Sequence, residues 1–123
     1  MFAQHIRIGE QDFDIKEEYA LLAAAENAGA VVTFTGLVRG QGERGALLAM
    51  ALEHYPGMTE ASIATIIAEA GQRWPLAAVR VIHRVGRLAP GDNIVFVGVA
   101  ATHRAAAFAA AEFIMDYLKT RAP

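Results

Sequence analysis

The chain has 123 residues, of which 54% are hydrophobic and 20% charged, with a formal net charge of −2 and no cysteine. This suits one compact domain, residues 1–123, with a substantial core. It leaves no excess positive charge for general nucleic-acid binding, and it excludes disulfides, thiolate metal sites, iron–sulfur clusters and persulfide chemistry on this chain. The four histidines, His5, His54, His83 and His103, form no short metal-ligand pattern, so neither a metal nor a resident cofactor is expected. The longest apolar run, around Ile94 to Ala101, is strand-sized rather than membrane-spanning. The N-terminus lacks the basic and apolar regions of a signal peptide, so a cytoplasmic protein with no membrane contact is expected.

In chain order, Ile6 to Ile8 predict a short first strand. Asp14 opens a helix, with Glu17 three residues on as in a capping box. Ile15, Tyr19 and Leu22 recur at helical spacing, and Gly29 is the expected stop. In AVVTFTGLV, residues 30–38, Val32 and Phe34 alternate with Thr33 and Thr35, which predicts a strand. RGQGERG, 39–45, predicts a mobile loop, and ALLAMALEH, 46–54, a second strand of a hairpin. After the Pro56-Gly57 turn, a helix over 59–73 buries Ile63, Ile66, Ile67 and Ala70, and Pro75 ends it. Strands follow at 78–85 and, beyond the Pro90-Gly91-Asp92 turn, at IVFVGVAA, whose unbroken apolar run predicts cover on both faces. Thr102 is placed to cap a last helix from His103 to about Lys119. The resulting fold class is α+β, a mainly antiparallel sheet with three packed helices.

Several residues at element ends carry chemistry. Thr102-His103-Arg104 at a helix N-terminus forms either an anion site or merely a capped helix with solvated side chains. Lys119 at the other end of that helix either complements the dipole or acts in catalysis. Arg39, delivered by a strand to a Gly-rich loop, is either functional or an ordinary surface arginine. Glu53 and His54 form either an acid–base pair or a hydrogen-bonded structural pair. His83 and Arg84, adjacent in a strand, point to opposite faces and read as structural.

Taken together, TFTGLVR (33–39), LEHYPGMTE (52–60), RWPL (73–76), VIHRVGRLAPGD (81–92), VFVGVAATHR (95–104) and FIMDYLKTRAP (113–123) resemble the large, catalytic subunit of molybdopterin synthase, in order and in register. The resemblance implies an α/β-hammerhead-like fold. It implies a sulfurtransferase of molybdenum cofactor biosynthesis that converts cyclic pyranopterin monophosphate (precursor Z) to molybdopterin. It also implies that sulfur arrives as a thiocarboxylate on the C-terminal Gly-Gly of a small ubiquitin-like partner, and that two large subunits form a homodimer within a heterotetramer. The family's substrate-binding segment matches Leu37, Val38 and Arg39, its anion-binding pair His103 and Arg104, and its active-site lysine Lys119, which also contacts substrate. Neighbouring arginines are expected to lower the pKa of that lysine. A second family lysine falls a few positions past Pro123, where the sequence ends, so a C-terminal tail is expected to be missing. The alternative reading is a noncatalytic module that binds a phosphorylated pterin or a ubiquitin-like tail.

Overall fold

The computed structural model of the chain describes residues 2–39, 50–52 and 58–120. The elements are β1 (Ala3–Gly9), α1 (Ile15–Ala23), β2 (Ala30–Leu37), β3 (Met50–Leu52), α2 (Met58–Arg73), β4 (Leu76–Arg84), β5 (Gly86–Leu88), β6 (Asn93–Ala101) and α3 (Arg104–Thr120). The main sheet has the order β1-β4-β6-β2, and β3 and β5 form a separate antiparallel pair. Within the main sheet β4–β6 and β6–β2 are antiparallel, whereas β1–β4 is parallel.

The central strand β6 explains the layering. Phe96 to Ala101 are buried, and their side chains alternate between two cores. Val97, Val99 and Ala101 join Val79 and Val81 of β4, Ile63, Ile67 and Ala70 of α2, and Ala107, Ala110, Ile114 and Leu118 of α3. Phe96 and Ala100 join Ala78, Ile82, Phe13 and Leu22 of α1 on the opposite face. A strand covered on both faces can be apolar throughout, as the sequence predicts.

α1 begins as expected: Oδ1 of Asp14 accepts from the amides of Lys16 at 3.0 Å and Glu17 at 3.4 Å. The helix ends at Ala23, six residues before Gly29, so Gly29 is not its stop. The chain tightens there, with the Ala25 amide donating to the Leu22 carbonyl, and Asn27 takes a left-handed φ of 70°. α1 is fixed to the sheet by the buried Glu18, which accepts from Arg80 of β4. The guanidinium groups of Arg7 and Arg84 hold the preceding loop by donating to the carbonyls of Gln11, Asp12 and Glu10. Arg84 is structural, as its place in the strand suggested.

The expected hairpin between residues 30–38 and 46–54 does not form. β2 pairs with β6, and Met50–Leu52 pairs with Gly86–Leu88. β2 packs beneath α3, and Val32 joins that core. β5 escaped the sequence reading because it is only three residues long, set off from β4 by Gly86 at φ 91°. The predicted loop at residues 40–45, and Glu53 and His54, lie outside the described residues.

Candidate functional site

α3 sets the geometry of the predicted site residues. Thr102 and His103 link β6 to the helix, which opens at Arg104. The cap position therefore falls on His103 rather than Thr102, and the His103 carbonyl accepts from the Ala107 amide at 3.3 Å. His103 and Arg104 are exposed, and the first turn contains no acidic residue to neutralise the helix N-terminus. These features suit an anion.

From Arg104 the helix runs unbroken for 17 residues. It is buried along Ala106, Ala107, Ala110, Ala111, Ile114 and Leu118, packs on β6 and β2, and so folds back along the strands it follows. Lys119 is exposed in its last turn. Sixteen positions separate His103 from Lys119, roughly 24 Å along a helix axis. α3 carries apolar residues on most sides, Phe108, Ala111, Met115 and Leu118 on one and Ala106, Ala110, Phe113 and Tyr117 on another. Its own sheet and α2 take most of that surface, while Phe108 remains 63% exposed.

The end of β2 carries the second group. Leu37, Val38 and Arg39 follow Gly36, where a Cβ would approach Val95 Cγ1 to 2.8 Å. The register against β6 jumps there, Gly36 facing Val95 and Leu37 facing Asn93, so Ile94 is an extra residue. Such a bulge re-aims the strand end. Val38 is 6% exposed and Leu37 57%, and Arg39 is exposed too. Two backbone bonds pin Val38 to the following turn: its amide donates to the Asp92 carbonyl and its carbonyl accepts from the Gly91 amide, both at 2.9 Å.

Strand register now orders these residues. β2 is antiparallel to β6, with Ala30 opposite Ala101 and Leu37 opposite Asn93. α3 follows β6 directly and packs on both strands, so its course back along them carries Lys119 away from the Ala30–Ala101 end of the sheet and toward the end that bears Leu37. His103 and Arg104 lie at the other end, beside Gly29, whose amide donates to the Ala101 carbonyl at 2.8 Å. One chain thus separates His103 and Arg104 from Lys119 by the length of α3. The sequence reading overlooked the contribution of the Ala89–Asp92 turn. Its only sequence signal is Pro90-Gly91-Asp92, which announces a turn without revealing what the turn holds.

Among the described residues, no group of three or more His, Asp or Glu could hold a metal ion, and no helix is long and apolar enough to cross a membrane.

The MoaE protein family model matches residues 8–121. The chain belongs to the MoaE family. It is 58% identical over 123 residues to the molybdopterin synthase catalytic subunit of Salmonella typhimurium, covering 100% of this chain and 82% of that protein. It is 58% identical over 118 residues to the subunit of the same name from Escherichia coli K12, covering 96% and 79%. The solved MoaE protein of Burkholderia ambifaria superposes with a TM-score of 0.86 at 51% identity, covering 97% of this chain and 78% of that one. The α+β fold is the family's fold, and the resemblance read from six sequence strings is borne out. As a MoaE-family member, the chain is an enzyme of molybdenum cofactor biosynthesis, a sulfurtransferase of the molybdopterin synthase type.

Proposed function

We propose that this MoaE-family chain acts in the cytoplasm as a single domain that transfers sulfur from the thiocarboxylated Gly-Gly terminus of a small ubiquitin-like subunit to cyclic pyranopterin monophosphate. Its relatives are named catalytic subunits, which presupposes a further subunit. Sulfur transfer from an acyl carbon to a phosphorylated substrate needs three things of the protein: an anion site, donors for a developing oxyanion, and a proton carrier. Arg39, His103 and Arg104 supply the first two, with the free amides at the start of α3 adding to the anion site. Lys119 is the proton carrier or nucleophile. Leu37 and Val38 shape the pocket wall beside it.

The observation that carries the reading is the unbroken helix α3, which sets Lys119 in its last turn apart from His103 and Arg104 at its start. A small pterin cannot span the roughly 24 Å of α3. The anion pair must then reach Lys119 from a second copy, giving a homodimer with two shared sites and a small subunit at each end.

The test is single-turnover dithiolene formation with the thiocarboxylated partner and the pterin precursor. Lys119→Ala should lose at least about 100-fold in rate, the lower end of general acid–base contributions, with an unchanged circular dichroism spectrum. A normal rate in that variant removes Lys119 from catalysis. Substrate binding without turnover in the unsubstituted chain would instead favour the noncatalytic reading.

A further inference from the structure

We infer that Asp92 is a positioning residue for the proposed site, acting through the Ala89–Asp92 turn on Leu37, Val38 and Arg39. The inference rests on the reading that this segment binds substrate, and it assigns the element that holds the segment in place.

The chain of contacts is short. Oδ2 of Asp92 accepts from the Ala89 amide at 2.8 Å, and the Asp92 amide donates back to the Ala89 carbonyl at 3.0 Å. These two bonds close the turn on itself. Gly91 within it holds φ at 91°, a conformation that L side chains rarely adopt. In that conformation the Gly91 amide and the Asp92 carbonyl both face Val38 and bond it at 2.9 Å each. Regular pairing of β2 has already ended: the last β2–β6 partner is Leu37 with Asn93, past the bulge. Among the described residues, the backbone of Val38 is therefore fastened by the turn, and Leu37 and Arg39 flank a fixed, buried residue. Without the carboxylate, the Ala89 amide loses its acceptor and the turn can open. The Val38 bonds then lose their alignment, and Arg39 swings from a loosened hinge. Small errors in placing a substrate-binding group carry large kinetic penalties.

The test uses the complete enzyme with its thiocarboxylated partner, and compares Asp92→Ala, Asp92→Asn and Gly91→Ala with Arg39→Ala. Gly91→Ala opens the same turn by backbone strain alone, because a Cβ there meets nothing within 4 Å. Amide hydrogen exchange reads the turn directly. Asp92→Ala should speed exchange at Val38 and Gly91 while leaving Val97 and Val99 of β6 protected. It should raise KM for the pterin precursor about fivefold, the factor for one net hydrogen bond, with a smaller change in kcat. Asp92→Asn keeps an oxygen acceptor and should restore both exchange and KM. Gly91→Ala should reproduce the defect, and it serves as the test if Asp92→Ala does not fold. Unchanged Val38 exchange in Asp92→Ala and Gly91→Ala overturns the inference. So does a normal KM in both when Arg39→Ala raises KM. A normal KM in Arg39→Ala overturns the substrate-binding assignment itself, and the function given to Asp92 falls with it.

Discussion

Gly29 lies so close to the corner between β6 and α3 that a Cβ on it would collide with the Thr102 carbonyl oxygen. The sequence suggests a helix stop there, since glycine is the usual residue past a helix end. The requirement is instead a close approach of two backbones, which pattern alone cannot distinguish from a stop. That backbone carbonyl cannot rotate aside as a side chain would. Gly29→Ala should therefore cost about 1–3 kcal/mol, the range for forcing a methyl into packed structure, measured by urea denaturation. It should also shift His103 and Arg104 and so weaken binding of the pterin precursor in calorimetry. A stability loss with unchanged affinity would separate the corner from the anion site. Arg39, His103, Arg104 and Lys119 were legible as candidates because each sits at the end of an element. The separation of His103 and Arg104 from Lys119 was legible too, in a helical stretch without Pro or Gly, whereas the pairing of β2 with β6 was not.

At the scale of elements, the sequence reading succeeded where one element's own pattern decides and failed where partners decide. α2 buries Ile63, Ile67 and Ala70 as its 3.6-residue spacing requires, and β6 is covered on both faces. The hairpin expectation for β2 and β3 failed because proximity in sequence favours adjacent strands only as a tendency. The parallel β1–β4 pair was equally invisible, since β4 lies far along the chain from β1. A charged cluster also links β1, β4 and α1, with His5 opposite Arg80 in register and Glu18 bonded to Arg80. Burial and then the charge of Arg80 push the His5 pKa below its usual value; Glu18 opposes this in part and Arg7 adds to it. A lowered histidine pKa means that the unfolded chain binds the proton more readily. Stability is then complete above the ordinary histidine value of about 6.5 and falls as pH drops below it. The urea midpoint should fall between pH 7.5 and pH 5 by more in the unsubstituted protein than in His5→Gln, and equal falls would exclude His5 as the source. Glu18→Ala should cost about 2–4 kcal/mol, because the half-buried Arg80 loses its buried ion-pair partner, with urea denaturation as the measure. A loss under 1 kcal/mol would show that solvent replaces the partner freely.

For the whole molecule, the decisive relation is that α3 is continuous. A break in it would have let one chain bring His103, Arg104 and Lys119 together, and the helix contains neither Pro nor Gly to provide one. Its buried stripe is committed to β6, β2 and α2 of the same chain, while Phe108 on α3, and Phe34 and Leu37 on β2, stay 63%, 42% and 57% exposed. Apolar side chains of this size on α3 and β2 are surface that a second copy can cover. A twofold arrangement would also carry the anion pair of one chain toward the lysine of the other. If sites are shared, each has a Lys119 from one chain and an Arg104 from its partner. Lys119→Ala and Arg104→Ala homodimers are then each defective at both sites. A mixed dimer of the two has one site with both substitutions and one with neither. Co-refolding equal amounts gives a statistical half of dimers as mixed, each with one intact site of two, so activity should recover to about a quarter of the unsubstituted level. Sites built within single chains predict no recovery, because every site would still lack one of the two groups. Sedimentation of the unsubstituted protein at micromolar concentration gives the independent check: a monomer would defeat the shared site even if complementation were obscured by poor exchange.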